Sequence, residues 1–465
     1  MYSTDRTRFL NIPFSGNRSG TFVLTWGQRW IWNSVSSRAP YYADLNDSHI
    51  IQTPEQCDLD TISRSLGVLL NRYETFRSRF SVSLDEQPYQ MVLDSGNLRV
   101  EVRDVAEEDA RSTAGIIEAE FNSIPFTAPE ISFRAAVVTS GGVPKFIVLC
   151  AFHMAMDCHG MVLALEDFRS LVGDHPVDAE GAAADDMAHP VDRVRMEGEP
   201  RSLRRSAQGI RLWEEELAKF PDSSFPEPVQ QPESPRYKTF AMHSVAVRAA
   251  SLELSLELGV STASVIHAMA AALVAKRTQN CMTGFIMAAS HRYDPASMRY
   301  PGTLVQGVPV AIDVSRRTPR ELIAHTHRAA MLAALGGQCD PVHLAESMSK
   351  AYGPEGIRAR LACTVNLSLP AATHAADPLP PTDTRGLTRS QAACLLHESR
   401  YEYVEGTPVE NDRFHLAAHG SPSDFHITLR ADTATLTSNG IVDFLRELER
   451  SVIDCLPETK TESRP

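Results

Sequence analysis

The sequence predicts a mixed α/β protein with two folded halves, and three observations support this prediction. Helix and strand signals alternate along the chain. Hydrophobic residues make up 43% and charged residues 22% of the 465 residues, which is ordinary globular usage and excludes a disordered, collagen-like or coiled-coil chain. Two irregular stretches, 173–200 (rich in Ala, Asp, Gly and Pro) and 221–235 (five prolines), separate the first half from a second that starts near Phe240.

The first half alternates predicted helices and strands. Its last strand, with the sequence KFIVLCAF, is almost wholly apolar, which is typical of a central strand buried on both faces. Glycine-containing turn chemistry at Ser95-Gly96-Asn97 and at Ser140-Gly141-Gly142 predicts two hairpin connections. The predicted elements are a helix over about 59–77, strands at 89–93 and 98–102, strands at 131–139 and 145–152, and a helix over 161–172.

The second half contains the most clearly delimited predicted helix. Capping-type residues open the segment 261–277, and basic residues close it. A long proline-containing surface loop is predicted over 369–386. The remaining predicted elements are a helix at 203–219, strands at 284–289, 303–312, 361–369, 424–429 and 433–438, and a closing amphipathic helix at 440–456.

Composition also argues against several functional classes. The net charge is 45 − 58 = −13, which disfavours a nucleic acid or an anionic membrane as the main partner. The eight cysteines are scattered and form no CxxC pair, so we expect reduced thiols.

The N-terminal residues show no signal-peptide pattern. The apolar stretch 146–165 is long enough to cross a bilayer but contains three charged or titratable side chains, so we interpret it as strand, turn and helix, and expect a soluble, cytoplasmic protein.

The segment from Phe152 to Gly160 carries the most informative chemistry. It lies where the apolar strand ends and a helix is predicted to begin, and such junctions project polar side chains into crevices at sheet ends. His153 there is a candidate general base or hydrogen-bond donor, and Asp157 could orient the loop. A core histidine beside a turn-forming aspartate explains the same pattern. Metal binding by His153, Asp157 and His159 is a weaker alternative, because no HExxH motif accompanies them.

The segment from Phe152 to Cys158 resembles the HHxxxDG motif of condensation domains in nonribosomal peptide synthetases. These domains belong to the wider superfamily of chloramphenicol acetyltransferase-like acyltransferases. Segments that resemble further family motifs follow the family's order along nearly the whole chain. They are TWGQRWIW at 25–32, NRYETFRSRF at 71–80, GFIMAASHR at 284–292, GTLVQGVPV at 302–310 and TVNL at 364–367.

The resemblance implies two acetyltransferase-like α/β subdomains in a V-shaped pseudo-dimer, with the active site in a tunnel between them. The expected boundaries are 1–175 for the subdomain carrying the HxxxD residues, 176–238 for a linker and Pro-rich connection, and 239–465 for the C-terminal subdomain. The resemblance gives His153 the catalytic place. It implies that Asp157 pairs with Arg292.

The chain departs from the family pattern at two places in the motif. Phe152 replaces the first histidine, and Cys158 replaces the glycine, where the turn could require close packing or a positive φ angle. The residues expected to support the site are Phe152, Asp157, Cys158, Gly160 and Arg292. Cys158 as a nucleophile is one further alternative, but a small buried residue in place of glycine is the simpler interpretation.

The function implied by the resemblance is that of a free-standing condensation enzyme in natural-product biosynthesis. It would move an acyl or aminoacyl group from the phosphopantetheine thioester of an acyl or peptidyl carrier protein, acting in trans, to an amine or a hydroxyl acceptor. A coenzyme A thioester donor and an inactive docking platform remain alternatives. The implied enzyme binds no cofactor or metal of its own. Arg201, Arg204 and Arg205 are candidates for a carrier-binding basic patch, or equally a solvated helix face.

Overall fold

The structure is a computed structural model that describes residues 6–173, 187–226, 228–368, 386–421 and 424–458. The strands in the described residues are β1 (Arg6–Ser15), β2 (Gly20–Val23), β3 (Asn46–Gln52), β4 (Ser78–Val82), β5 (Pro88–Val92), β6 (Ser95–Asp104), β7 (Phe133–Ser140), β8 (Val143–Phe152), β9 (Tyr237–His243), β10 (Met282–Ala289), β11 (Gln306–Asp313), β12 (Cys363–Ser368), β13 (Arg400–Thr407), β14 (Phe414–Ser421) and β15 (Asp424–Asp432). The α-helices there are α1 (Trp26–Arg38), α2 (Leu59–Arg72), α3 (Ala110–Ser123), α4 (Cys158–Val172), α5 (Pro190–Glu197), α6 (Pro200–Leu217), α7 (Val245–Leu258), α8 (Thr262–Thr278), α9 (Pro295–Met298), α10 (Pro319–Gly336), α11 (Pro341–Arg360), α12 (Arg389–Cys394) and α13 (Ser438–Ile453).

The chain divides into two compact units. The first comprises Met1–Leu203 and His291–Gln306, and the second comprises Arg204–Ser290 and Gly307–Pro465. The segment between β10 and β11 therefore belongs to the first unit, although all of β10 and all of β11 except Gln306 belong to the second. The boundaries expected from the sequence, at 175 and 239, divide the chain into consecutive segments. They stay a prediction. Part of the expected connection is helical, since α5 and α6 lie within it.

The first unit contains a five-stranded sheet in the order β1-β6-β7-β8-β3 and a three-stranded sheet in the order β2-β5-β4. The apolar strand β8 is interior and pairs antiparallel with both neighbours, as its composition predicts. Helix α2 begins at the N-cap Asp58 and buries its apolar stripe completely. The stripe consists of Ile62, Leu66, Leu69 and Leu70, each 0% exposed.

The second unit contains a seven-stranded sheet in the order β11-β10-β12-β14-β15-β9-β13. Inward residues of these strands join the largest apolar core together with helices α7, α8 and α13. Helix α8 begins at the N-cap Ser261 and ends with Lys276 and Arg277 in its last turn, which confirms the predicted helix. The predicted loop over 369–386 lies, except for Gly386, outside the described residues, as do residues 174–186 of the first irregular stretch.

Two sequence-based element predictions are wrong for reasons of packing. Residues Ser95-Gly96-Asn97 form no turn but begin β6, which pairs with β1. A Cβ at Gly96 would lie 2.5 Å from the Phe14 ring, so the glycine makes room for an aromatic side chain. The predicted strand at 433–438 is a turn after β15, with Thr435 N–H bonded to the Asp432 carbonyl, and α13 starts at Ser438.

Two further predicted elements begin or end elsewhere. Helix α2 stops at Arg72, with Tyr73 as its C-cap, rather than at residue 77. The strand predicted from residue 303 begins only at Gln306, so residues 303–305 remain irregular. The hairpin of β7 and β8 is confirmed, with Gly141 and Gly142 in its turn at φ 58° and 84°.

The described residues contain no single helix that is both long and apolar enough to cross a membrane. Helices α7 and α8 pass such a length and composition test only as a pair, and the pair is bent by 107°. All eight cysteines lie in the described part of the chain, and none is in a disulfide.

We expect Leu66→Ala to lower the stability of the first unit by about 3 kcal/mol, because it removes a fully buried side chain from the α2 stripe and leaves a cavity. The denaturant midpoint followed by circular dichroism measures the effect. Leu84, which is 103% exposed, supplies the matched control. Leu84→Ala should leave the midpoint unchanged, and equal effects of the two variants would contradict the assigned core.

Candidate active site

His153 lies directly after β8, in the turn that leads into α4. Its backbone is held on both sides, because its N–H donates to the Leu45 carbonyl at 2.9 Å and its carbonyl accepts from Thr303 Oγ1 at 2.5 Å. The ring is half-buried. Nδ1 is buried and has no hydrogen-bond partner among the described residues, whereas Nε2 is not buried. The ring nitrogen that is open to a ligand is therefore Nε2.

Asp157 is the buried polar centre of this turn. It is the N-cap of α4, and its Oδ1 accepts from the Gly160 N–H at 3.1 Å. The same oxygen accepts from the Arg292 guanidinium at 2.8 Å, and Oδ2 accepts from the Leu304 N–H at 2.9 Å. The ion pair that the resemblance implies is thus present, with both side chains buried.

Arg292 binds backbone as well as the carboxylate. Its guanidinium also donates to the carbonyls of Tyr300 and Gly302, at 3.1 and 2.9 Å. Burial lowers the pKa of Arg292, while Asp157 opposes that effect, and an arginine in such a pair stays charged. Because residues 291–306 belong to the first unit, the pair holds this segment to the turn that carries His153.

Two glycines allow residues 301–303 to approach two helix N-termini closely. A Cβ at Gly160 in α4 would lie 1.9 Å from the Pro301 carbonyl oxygen, and a Cβ at Gly27 in α1 would lie 2.2 Å from that of Thr303. Neither helix could keep this position with any side chain there. This close approach places the Thr303 hydroxyl within reach of the His153 carbonyl.

Phe152 and Cys158, the two departures from the family pattern, have different surroundings. Phe152 is 4% exposed and stacks on Phe126 with ring centroids 5.4 Å apart, so it serves the apolar core. Cys158 is the first residue of α4, and it is not among the residues with positive φ. Of the two requirements considered for this position, close packing and a positive φ angle, the positive φ angle is therefore wrong.

The residue beside the site that does have a positive φ angle is His291, directly before Arg292, with φ 53°. A residue with a Cβ pays about 1 kcal/mol for this conformation. The family pattern has a glycine before its arginine. The replacement of that glycine by His291 is the feature of the sequence that indicates this strained residue. Thr303 is a further site residue that the sequence pattern does not indicate, because the pattern predicts a strand from residue 303. The preceding Pro301-Gly302 pair is a turn signal that places it in a loop.

Cys158 is poorly suited to nucleophilic catalysis. Its side chain retains solvent-accessible surface, so the expectation of a buried residue is wrong. Packing around the sulfur, followed by the carboxylates of Asp47 and Asp157, nevertheless raises the pKa of the thiol to about 12. A thiol with this pKa is almost entirely protonated at neutral pH.

The metal alternative finds no support in the geometry. The described residues contain no group of three His, Cys, Asp or Glu side chains that could hold a metal ion. His159 Nε2 lies 2.8 Å from the Met298 carbonyl oxygen, and because a carbonyl only accepts, Nε2 carries the proton. Asp157 is occupied by Arg292 and two backbone N–H groups.

Comparison with known proteins identifies the family. A family model described as "Condensation domain" matches residues 19–338, and the chain belongs to this family. One curated relative, the hybrid PKS-NRPS synthetase ucsA of Acremonium sp., is 22% identical over 209 residues, which are 43% of this chain and 5% of the relative. The chain thus spans a small fraction of the length of that relative.

Solved structures of low identity share the fold. A condensation domain from a study of chain release from the enacyloxin polyketide synthase has a TM-score of 0.69 at 14% identity, with 95% of this chain and 83% of that chain covered. SgcC5 of Streptomyces globisporus has a TM-score of 0.69 at 16% identity, with 95% and 100% covered. The starter condensation domain of rhizomide synthetase RzmA has 0.68 at 14%, with 96% and 97% covered. These matches confirm the predicted α/β fold of two subdomains, while the tunnel stays a prediction.

We expect Gly160→Ala to destabilise the first unit by about 3 kcal/mol, because the new Cβ collides with the Pro301 carbonyl and overpacks the site. Alanine ordinarily stabilises a helix relative to glycine, so a loss of stability on this substitution indicates the collision with Pro301. Gly115 in α3, where a Cβ meets no atom within 4 Å, is the control. Gly115→Ala should raise the denaturant midpoint, and a rise for Gly160→Ala would contradict the close approach.

We expect Cys158 to react with iodoacetamide at pH 8 more than about tenfold more slowly than a free thiol such as N-acetylcysteine, because little of it is thiolate. Peptide mass spectrometry after timed labelling measures the rate. The rate should keep rising as the pH approaches 12. Rapid labelling at pH 7 would show a low thiol pKa and revive the nucleophile hypothesis.

Proposed function

We propose that this chain transfers an acyl or aminoacyl group from a phosphopantetheine thioester on a carrier protein to an amine or hydroxyl acceptor, with His153 as the catalytic residue. The observation that carries the proposal is the fixed His153 backbone with Nε2 open, beside the buried Asp157–Arg292 pair. Membership of the condensation-domain family favours a catalytic over a core histidine at this position.

The proposed step is an acyl substitution. The acceptor nitrogen or oxygen attacks the thioester carbonyl carbon, and its proton moves to Nε2 of His153 as the new bond forms. The carbonyl oxygen becomes an oxyanion. When the C–S bond breaks, the carbonyl reforms and the leaving thiolate takes the proton from the imidazolium. Alternatively, the imidazole holds the nucleophile and the oxyanion in position without taking the proton.

The related structures support acyl chemistry without choosing a donor or an acceptor. One comes from a study of condensation domain-mediated chain release. SgcC5 was crystallised with (R)-(-)-1-(2-naphthyl)-1,2-ethanediol, an alcohol, which keeps the ester product in consideration. The RzmA starter domain was studied with C8-CoA, and this observation favours coenzyme A thioesters as the second candidate donor.

We propose no bound cofactor for this chain, because the acyl group arrives already activated as a thioester. The partner is an acyl or peptidyl carrier protein. We expect both to be in the cytoplasm, where the unpaired cysteines of this chain would stay reduced.

We expect His153→Ala to slow acyl offloading by about 100-fold or more, because it removes the proton acceptor. The measurement is intact-protein mass spectrometry of acyl-loaded carrier proteins incubated with candidate amines and alcohols. His343→Ala, on the exposed side of α11, is the control and should leave the rate unchanged. The mass of the product distinguishes the amide from the ester, and parallel assays with acyl coenzyme A test the second donor.

Undiminished transfer by His153→Ala would remove His153 from the catalytic role. Carrier binding without transfer by either protein, over a panel of acceptors, would instead support the docking platform.

We expect Arg204→Glu with Arg205→Glu to raise the KM for the acyl carrier protein several-fold, since both side chains lie exposed on α6, together with Arg201, and carrier helices are usually acidic. The KM for a free acyl-pantetheine thioester should not change, because this small donor lacks the protein surface. Arg328→Glu, at an exposed position of α10, is the control. Equal effects of both charge reversals would indicate a general charge effect.

A further inference from the structure

The end of helix α5 is buried against the start of helix α1. Glu197, the last residue of α5, is 4% exposed. Its Oε2 accepts from the Trp26 backbone N–H at 2.8 Å, and its Oε1 accepts from Arg193 Nε at 2.9 Å. All three residues belong to the first unit. A carboxylate from the expected connection 176–238 is therefore built into the unit that carries His153.

Glu197 supplies a charge that the start of α1 lacks. Trp26 is the first residue of α1, and the first turn of this helix contains no acidic residue. The first N–H groups of a helix have no partner within the helix, and negative charge is favourable there because the N-terminus carries a partial positive charge. The Thr25 hydroxyl accepts from the Gln28 N–H, whereas Glu197 accepts from that of Trp26. The two side chains thus cap different N–H groups of one helix.

The start of α1 contacts the segment that holds His153. A Cβ at Gly27 would lie 2.2 Å from the Thr303 carbonyl oxygen, so the α1 backbone packs directly on this residue. Gln306, three residues further along, donates to the Trp26 carbonyl at 3.4 Å. The Thr303 hydroxyl in turn donates to the His153 carbonyl. One series of contacts therefore leads from α5 through α1 and Thr303 to His153, and all of it lies in the first unit.

The opposite end of α5 is anchored by an ion-pair network. Arg18 donates to both carboxylate oxygens of Asp192, at 2.6 and 2.8 Å, and to Glu74 at 2.7 Å. The hydrogen bond from Arg18 lowers the pKa of Asp192 to about 2, so this ion pair persists at neutral pH. Because both ends of α5 are fixed to the first unit, the Glu197 carboxylate has a defined place at the start of α1.

We infer that Glu197 is a positioning residue for His153, acting through α1 and Thr303. This inference rests on the proposed function, in which the position of the His153 ring sets the rate of acyl transfer. Without the carboxylate, the buried Trp26 N–H loses its acceptor, and the start of α1 is free to move away from Thr303. A displacement of about 1 Å in an active site can lower a rate by about 100-fold.

The kinetic test removes the acceptor and keeps the side-chain length. Glu197→Met should lower kcat about tenfold and change the KM for the donor less than about twofold, because Glu197 orients the catalytic residue and does not bind the substrate. Glu197→Gln keeps an oxygen for the Trp26 N–H and should restore most of kcat. Arg193→Met is the matched control. It breaks the same ion pair, leaves the carboxylate on Trp26, and should lower stability without lowering kcat.

A double-variant cycle tests the route through Thr303. Thr303→Val removes the hydroxyl that binds the His153 carbonyl and should itself lower kcat. If Glu197 acts through this hydroxyl, Glu197→Met combined with Thr303→Val should be no slower than the slower single variant. Losses that multiply would show two independent effects and would overturn the inference.

NMR observes the position of His153 without turnover. In the full chain labelled with ¹⁵N at histidine, the His153 signal is assigned by its loss in His153→Ala. Glu197→Met and Thr303→Val should shift this signal, and Arg193→Met should leave it in place. Denaturant midpoints check that each variant folds. Should Glu197→Met fail to fold, Asp192→Asn at the half-buried other end of α5 releases the same helix from Arg18 and should change kcat and the His153 signal in the same direction.

The inference and the proposed function fail in distinguishable ways. Unchanged kcat and an unshifted His153 signal in a folded Glu197→Met variant would overturn the positioning role alone. A change confined to KM would do the same. A wild-type chain without transferase activity would overturn the proposed function, and the His153 signal would then decide whether Glu197 positions this residue.

Discussion

The carboxylate of Asp157 is the constraint on which the rest of the first unit's site depends. One buried side chain caps α4, pairs with Arg292 and accepts the Leu304 N–H. A buried charge is costly unless all of its hydrogen bonds are made, so these partners are required together. Removing any one would leave a charge or a polar group unpaired and would release the turn in which His153 lies.

This constraint operates because the backbone segments around it are in close contact. Gly160 and Gly27 carry no Cβ where the Pro301 and Thr303 carbonyls approach, and Arg292 binds two carbonyls of the same segment. The Thr303 hydroxyl then completes the hold on His153. Strain at His291, with φ 53°, accompanies this packing and is offset by it.

The sequence by itself determined the elements with strong periodicity and the strand–turn–helix around His153, because these depend on local pattern. The pairing of Asp157 with Arg292 was implied by the family resemblance. Only the tertiary structure decided that Gly96 accommodates Phe14, that residues 303–305 stay irregular, and that the Thr303 hydroxyl binds the His153 carbonyl. These features depend on contacts between residues far apart in the chain. Neither periodicity nor turn propensity encodes which distant atom occupies the space beside a residue.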